Sequence, residues 1–275
     1  MSPNSSRRAA SVCITSPANP VFKTALALAT SHGRKKHGLS LVEGLRAVEG
    51  SLEAGTAAGF ALATPEALSS PRGRELAKRL LGAGIPLYEM DKGLFSRVTQ
   101  TETPQGFALA CALREAALEE ALRAEFVVVA DCVQDPGNLG AIVRSARAFG
   151  VGAILATAGT ADAANPKVLR ASAGTLPGFP FSSGHDPALL AAKLAGHGFR
   201  LVVADAKGKR DFREEPWNGR VALVIGSEAH GVDPAFLGIA RARLCIPLAG
   251  GVESLNAAAA AAILLAEAAR RRAVR

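Results

Sequence analysis

The sequence predicts an α/β protein: a C-terminal domain built on a parallel sheet, preceded by a small α/β domain. Apolar runs of strand length alternate with helix-length segments along the chain, a pattern typical of parallel sheets covered by helices. The length of 275 residues corresponds to about two domains. A charged, alanine-rich segment at residues 116–124 has the composition of a linker and separates the two halves.

The first half contains the elements of a small domain, which we place at residues 1–115. The hydrophobic pattern predicts helices at residues 21–31, 45–54 and 73–81, and strands at residues 39–43, 60–63, 85–88 and 106–112. Gly55 follows the second of these helices and is typical of a helix end. Residues 1–12 are rich in serine and arginine, and we expect them to be flexible.

The second half, residues 125–275, repeats the alternation. A β-branched run at residues 126–130 has the composition of a buried strand. It is followed by strand-like segments at residues 153–156, 201–204, 221–225 and 244–247, and by helical segments at residues 139–149, 166–173, 188–195 and 255–272. We therefore predict a mostly parallel sheet that helices cover on both faces.

Composition excludes several classes of protein. A hydrophobic content of 49% excludes a mostly disordered chain. The longest apolar run, residues 257–266, is about half the 20 residues that a membrane-spanning helix needs, so we expect no membrane segment. No apolar stretch follows Arg7 and Arg8, which argues against a secretory signal. The four cysteines are scattered and do not cluster with histidines, so we expect no metal site and a reducing, cytoplasmic location.

Positive charge is concentrated at the two ends of the chain, whose net charge is +8. Residues 1–50 contain seven basic and two acidic side chains, and residues 268–275 contain four arginines and no acidic residue. The remaining residues are nearly neutral. Two basic ends on a neutral body favour a polyanionic partner. The alternative is a basic surface that is merely solvated.

Several common catalytic motifs are absent from the sequence. It contains no G-x-x-x-x-G-K-[ST] phosphate loop, no G-x-S-x-G and no H-E-x-x-H, and no strand is followed by G-x-G-x-x-G. These absences disfavour kinase-like proteins, the corresponding hydrolases and classical dehydrogenases. Three polar loops at the ends of apolar strands remain, and open α/β sheets bind ligands at that edge.

The first loop lies in residues 130–146, A-D-C-V-Q-D-P-G-N-L-G-A-I-V-R-S-A. A Pro-Gly turn brings Asn138 to the start of a predicted helix, and Arg144 lies two turns into that mostly apolar helix. The alternative interpretation is a turn with Asn138 as the helix N-cap and Arg144 as an ordinary surface residue.

The second loop, in residues 223–234, contains Gly226, which allows a ligand close to the backbone, and Glu228, whose carboxylate can orient an amine or a guanidinium. An ordinary glycine-rich turn is the alternative.

The third loop, in residues 245–262, places Ser254 and Asn256 at the N-terminus of the last helix, where free N–H groups favour an anion or electron-rich ligand. Ser254 could instead be a simple N-cap, whereas no helix propensity explains Asn256 just inside the helix.

Together the three loops resemble the SpoU (TrmH) family of RNA ribose 2′-O-methyltransferases. The stretches D-C-V-Q-D-P-G-N-L-G-A-I-V-R, G-S-E-A-H-G and I-P-L-A-G-G-V-E-S-L-N are similar to its three motifs in order and spacing, and the resemblance covers residues 125–272. The stretch from I-T-S-P-A-N-P-V-F-K to L-V-E-G-L-R-A-V is similar to the small RNA-recruiting domain that precedes the catalytic domain in many members.

The resemblance implies a C-terminal domain with a trefoil knot, the SPOUT fold, that holds S-adenosylmethionine. It also implies a homodimer whose active site is completed at the interface. By position in the motifs, the residues expected to contact the cofactor, largely through backbone atoms, are Gly226, Ile246 and Leu255. The polar side chains expected to form the catalytic set are Asn138, Arg144, Glu228, Ser254 and Asn256. No metal is implied.

The chemistry of methyl transfer suggests a role for Arg144. A free guanidinium has a pKa above about 12 and is a poor base, so we expect Arg144 to orient the ribose hydroxyl and stabilise developing alkoxide charge. The proton acceptor stays open between a phosphate and water. Glu228 would position polar groups, and Asn138 would hold Arg144 or the ribose.

Basic residues of the first half are candidates for phosphate contacts: Lys23, Arg34, Lys35 and Lys36. The resemblance favours structured ribosomal RNA over transfer RNA as the substrate. A non-catalytic RNA-binding protein on the same fold is the main alternative, and the intact polar set argues against it. A nucleotide-dependent oxidoreductase is disfavoured by the missing G-x-G-x-x-G.

Overall fold

The computed structural model describes residues 12–101 and 103–273, which divide into two compact units. The first unit ends at Leu113 and the second begins at Arg114, close to the predicted boundary at residue 115. We expected residues 1–12 to be flexible. Residues 1–11 lie outside the described part of the chain, and Val12 begins a strand.

The first unit is built on a mixed five-stranded sheet. Its elements are β1 (Val12–Ile14), α1 (Pro20–Ala27), α2 (Ser31–His37), β2 (Ser40–Glu43), α3 (Leu45–Glu53), β3 (Ala58–Ala63), α4 (Pro65–Ser69), α5 (Pro71–Gly82), β4 (Leu87–Met90), α6 (Lys92–Val98) and β5 (Phe107–Cys111). The strand order is β1-β4-β3-β5-β2, and β5 runs antiparallel to both of its neighbours. One core cluster contains Phe22, Leu62 and Phe95, which come from α1, β3 and α6.

Helix α2 was not predicted, because its sequence S-H-G-R-K-K-H has no apolar periodicity. The helix is fixed at both ends. The Thr30 hydroxyl accepts a hydrogen bond from the Gly33 N–H (3.0 Å), and Gly38 ends the helix at a φ of +64°. A Cβ on Gly33 would lie 1.9 Å from the Ala27 carbonyl oxygen, so only glycine allows α2 to pack this closely on α1.

The second unit is built on a seven-stranded parallel sheet, as predicted. Its elements are α7 (Leu118–Ala121), β6 (Phe126–Ala130), α8 (Pro136–Ala148), β7 (Ala153–Thr157), α9 (Pro166–Ala171), β8 (Phe181–His185), α10 (Pro187–Gly196), β9 (Arg200–Ala204), β10 (Arg210–Asp211), β11 (Val221–Ile225), α11 (Pro234–Ile239), β12 (Ala242–Cys245) and α12 (Ala257–Ala273). The strand order is β10-β12-β9-β11-β6-β7-β8.

The predicted linker at residues 116–124 is part of the second unit and not a separate segment. Ala121 and Leu122 are almost fully buried in a core cluster with residues of β6, β7, β9, β11 and α10. The Ala116 N–H donates to the Phe181 carbonyl at the edge strand β8 (2.8 Å). The sequence prediction was wrong here because the charged positions of α7 face solvent while the apolar ones complete the core.

The order of the strands places the candidate site. The chain leaves β6 towards β7 and leaves β11 towards β12, which lie on opposite sides of the β6–β11 pair. Loops that diverge in this way open a crevice at the carboxyl ends of the strands, where α/β proteins bind ligands. The loops after β6 and β11 are two of the three motif loops, and the third follows β12.

Arginines of the basic C-terminal helix bind both within the helix and to the rest of the unit. Arg270 and Arg271 both bind the Glu267 carboxylate and hold its pKa at about 2. The Arg272 guanidinium donates to the Trp217 carbonyl (2.8 Å). These contacts give the three arginines a structural role. In the described residues, no helix is long and apolar enough to span a membrane.

Candidate active site

A cavity of about 520 Å³ lies at the carboxyl ends of β9, β11 and β12. All three residues expected to contact a cofactor line it, namely Gly226, Ile246 and Leu255. Two members of the expected polar set, Glu228 and Ser254, also line it. The structure therefore brings the second and third motif loops around a single cavity.

The loop after β11 is a tight turn that closes on itself. Ser227 and Gly231 exchange two backbone hydrogen bonds of 3.0 and 2.8 Å. A Cβ on Gly226 would lie 2.3 Å from the Gly231 carbonyl oxygen, so any other residue would force the turn apart. The glycine expected to admit a ligand thus also has a structural function: it lets the turn close beside the cavity.

Three predicted polar residues form one hydrogen-bond network. Glu228 Oε1 accepts from Asn138 Nδ2 (2.9 Å), from Asn256 Nδ2 (2.8 Å) and from the Ala257 N–H (3.2 Å). Asn256 Nδ2 also donates to Asn138 Oδ1 (2.9 Å). A single carboxylate oxygen therefore joins the loops that follow β6, β11 and β12, although Asn138 and Asn256 are 118 residues apart along the chain.

The helix caps differ from the sequence interpretation. Asp135, and not Asn138, caps α8: its Oδ1 accepts from the Asn138 N–H (2.7 Å). Asn256 caps α12 through its Oδ1, which accepts from the N–H groups of Ala258 (3.0 Å) and Ala259 (3.2 Å). Because Asp135 caps α8, the Asn138 side chain is available for the network. The capping role of Asn256 explains why an asparagine stands at the start of α12, which helix propensity did not explain.

Ser254 does not cap the last helix. It is exposed at the cavity, and it makes no hydrogen bond with any residue in the described part of the chain. Its hydroxyl is therefore available to a ligand.

Arg144 lies on α8, one turn beyond Gly140, and its side chain is exposed. Within residues 12–101 and 103–273 its guanidinium has no hydrogen-bond or ion-pair partner. Arg147, one turn further along α8, instead lies over the ring of Phe179 at 5.7 Å from its centroid. Of these two arginines, Arg147 is stacked on a ring, whereas Arg144 has no described contact and presents its planar donor set to solvent.

Sequence reasoning missed the residue that fixes the second motif loop to the first. Asp131 directly follows β6 and is 3% exposed. Its Oδ1 accepts from the Thr157 hydroxyl (2.8 Å) and its Oδ2 from the Asp233 N–H (2.7 Å). The signal in the sequence was an acidic residue immediately after a fully apolar strand, a place where a carboxylate is buried only with hydrogen-bond partners.

The basic candidates of the first unit fall into two groups. Lys23, Lys35 and Lys36 are exposed. Arg34 is 8% exposed, and its Nη1 donates to the carbonyl oxygens that end α1, at Leu28 (3.4 Å) and Ala29 (3.3 Å). Because burial removes Arg34 from the surface, its assignment to phosphate contact is withdrawn and it has a structural role between α1 and α2.

Family models match both units. The SpoU rRNA Methylase family matches residues 125–266, which contain all three motif loops. The MRM3-like substrate binding domain matches residues 19–109, which correspond to most of the first unit. In the described residues, no group of three or more histidine, cysteine or acidic side chains is placed to bind a metal ion.

Known proteins resemble the whole chain and not only its second unit. A 23S rRNA (guanosine(2553)-2'-O)-methyltransferase, RlmP, from Bacillus subtilis is 39% identical over 67% of this chain and 73% of its own length. An uncharacterized tRNA/rRNA methyltransferase from Synechocystis is 31% identical over 94% of this chain and 93% of its own length. The mouse rRNA methyltransferase 3, mitochondrial, is 31% identical over 85% of this chain and 68% of its own.

Solved structures agree with the same assignment. An RNA 2'-O ribose methyltransferase superposes with a TM-score of 0.82 at 30% identity, over 95% of this chain and all of the other. The SpoU methyltransferase AviRb from Streptomyces viridochromogenes, in complex with the cofactor AdoMet, gives a TM-score of 0.79 at 28% identity, over 93% of this chain and 98% of that one. With three motif loops joined by one hydrogen-bond network beside the cavity and family models on both units, the chain belongs to the SpoU rRNA methylase family.

Proposed function

We propose that this protein transfers a methyl group from S-adenosylmethionine to a ribose 2′-hydroxyl of structured ribosomal RNA. The observation that carries the proposal is the network of Asn138, Glu228 and Asn256 beside the cavity, with Arg144, which has no partner among the described residues, on the helix that carries Asn138. A protein that only binds RNA would not need this polar set.

The cavity fits S-adenosylmethionine. Its volume of about 520 Å³ lies within the usual range of about 300–1,000 Å³ for small-molecule sites. Gly226 exposes backbone at its wall, and Ile246 and Leu255 provide apolar contact for an adenosine. We assign cofactor contact to these three residues. When bound, the cofactor supplies an electrophilic methyl group on a sulfonium.

The side chains prepare the RNA hydroxyl for attack. The Glu228 carboxylate fixes the amides of Asn138 and Asn256, so these groups are already oriented before RNA binds. Arg144 presents a planar, permanently charged donor set that orients the ribose oxygen and stabilises its developing negative charge. The proton leaves to a neighbouring phosphate or to water. Ser254 completes the polar set from the third motif loop.

The first unit recruits the RNA. It matches a substrate-binding domain model, and its helix α2 presents Lys35 and Lys36 to solvent, with Lys23 exposed on α1. Exposed lysines neutralise phosphates without reading base sequence. The names of the Bacillus and mouse relatives both specify ribosomal RNA. We therefore favour ribosomal over transfer RNA for this chain.

The assembly that we propose is a homodimer, with a trefoil knot around the cofactor loops of each subunit. Leu248 and Val252 on the third motif loop are 38% and 56% exposed, and Ile263 on α12 is 37% exposed. Exposed large apolar residues on the third motif loop and on the helix that follows it are explained if a second subunit covers them. The partner would then complete the site.

Substitution of Glu228 by glutamine tests the network. We expect the protein to fold and to transfer methyl roughly ten- to a hundredfold more slowly, because a neutral amide oxygen holds the Asn138 and Asn256 amides less strongly than a carboxylate does. The measurement is single-turnover transfer of labelled methyl to ribosomal RNA. The matched control is Glu253→Gln, an exposed acid on the third motif loop that makes no described hydrogen bond. An unchanged rate for Glu228→Gln, equal to that of the control, would contradict the role of the network.

Substitution of Lys35 and Lys36 by glutamine tests RNA recruitment. We expect weaker RNA binding and a log–log salt dependence that is shallower by about one to two, because up to two phosphate contacts are lost. The control is the double variant Lys78→Gln, Lys92→Gln, which removes equal charge from exposed positions on α5 and α6. Titration of labelled RNA at several salt concentrations measures both variants. Equal slopes for the two double variants would show that α2 does not contact RNA.

A further inference from the structure

Five ionisable side chains line the cavity, and three of them already bind other protein groups. They are Asp205, Lys207, Glu228, His230 and Arg243. The Asp205 Oδ2 atom accepts from Arg243 Nε (2.7 Å) and Nη2 (2.5 Å). Glu228 is held by its amide partners on the other two motif loops. These three side chains therefore have partners before any ligand binds.

Lys207 is the fixed positive charge that remains. Its side chain is exposed at the cavity, and the ammonium group has no partner in the described part of the chain. The other permanently charged cation at the cavity, Arg243, is already paired with Asp205. A ligand with a carboxylate would thus find one unpaired permanent cation here.

The backbone that carries Lys207 is held in place. Asp205 Oδ1 accepts from the Lys207 N–H (2.8 Å), and the Gly208 N–H donates to the Asp205 carbonyl (2.9 Å). A Cβ on Gly208 would lie 2.6 Å from the Arg243 carbonyl oxygen, so the turn packs directly on β12. This contact keeps the turn, and with it Lys207, at the wall of the cavity.

We propose that Lys207 binds the carboxylate of the amino-acid end of S-adenosylmethionine. The inference rests on the proposed function, which places this cofactor in the cavity. Gly226, Ile246 and Leu255 offer backbone and apolar contact to the adenosine but no charge. The amino-acid end carries a carboxylate, which needs a cation once part of its water is removed. Lys207 supplies that cation, while Arg243 is neutralised by Asp205.

Two ligands separate this role from a general effect on the cavity. S-adenosylhomocysteine has the amino-acid end, whereas 5′-methylthioadenosine has the same adenosine and thioether without the carboxylate. Calorimetric titration of the full-length protein measures both. We expect Lys207→Gln to weaken S-adenosylhomocysteine binding by about three- to tenfold, the range for a partly exposed charge pair. Binding of 5′-methylthioadenosine should stay within about twofold.

The matched control is Lys209→Gln, which removes the same charge from an exposed lysine that does not line the cavity. It should leave both affinities unchanged. Lys207→Gln with unchanged S-adenosylhomocysteine affinity, or with equal losses for both ligands, would overturn the proposal. Failure of the wild-type protein to bind either ligand would overturn the proposed function itself, and the assignment of Lys207 with it.

Discussion

Replacement of Arg144 by lysine is expected to leave the fold and cofactor binding unchanged and to slow methyl transfer on the order of a hundredfold or more. The side chain is exposed and bonds to no described residue, so the fold loses no contact. Lysine keeps the charge but cannot reproduce the planar, forked donors that would hold a ribose oxygen. Single-turnover transfer of labelled methyl to RNA measures the loss, with thermal melting and cofactor titration alongside.

The matched control is Arg147→Lys, on the same helix and also exposed, whose guanidinium lies over Phe179. This variant should transfer methyl at a rate close to that of the wild type. A near-wild-type rate for Arg144→Lys would remove Arg144 from the catalytic set. Equal losses in the two variants would show that the effect follows any arginine-to-lysine change on this helix and does not belong to position 144.

A fragment of residues 114–275 is expected to bind S-adenosylmethionine like the full-length protein and to lose methylation of the native RNA. The second unit has its own core cluster and contains every residue that we assign to the cofactor. The exposed lysines that we assign to RNA lie in the first unit. Calorimetry and labelled-methyl transfer measure the two properties. Full activity of the fragment on that RNA would show that the first unit does not recruit it.

The residue at which this fragment begins is expected to affect its stability. A fragment that begins at residue 121 would lack Leu118, which packs against the core cluster, and the Ala116 bond to β8. It would also lack Glu115, whose carboxylate accepts from the Ser183 N–H (2.8 Å) and hydroxyl (2.6 Å). We expect this shorter fragment to melt at a lower temperature than the longer one. Equal melting temperatures would show that residues 114–120 contribute nothing to the second unit.

The central strands were predictable because every residue in them is apolar, as expected for strands buried on both faces. F-V-V-V-A and V-A-L-V-I are continuous apolar runs, and both form fully buried parallel strands as β6 and β11. Strand β8, F-S-S-G-H, was missed because only two of its residues are buried and only one of the five, Phe181, is hydrophobic. This segment is a strand because it pairs with β7, and pairing between distant segments cannot be inferred from a local sequence pattern.

The site was predictable in its members but not in its connections. The motifs gave Asn138, Glu228 and Asn256, yet only the fold shows that one Glu228 oxygen joins all three loops. Asp131 carried no signal beyond its position after a strand, since its partners come from β7 and the second motif loop. Arg34 looked like its lysine neighbours in sequence, and only the packing of α2 on α1 buries it.

The most direct test of the central claim is a map of 2′-O-methylated positions in total RNA from cells with and without the gene. We predict that one ribose methylation in ribosomal RNA disappears without the gene, returns with the wild-type protein and does not return with Arg144→Lys. A map that is the same in all four strains would contradict the assignment of this protein as a ribosomal RNA 2′-O-methyltransferase.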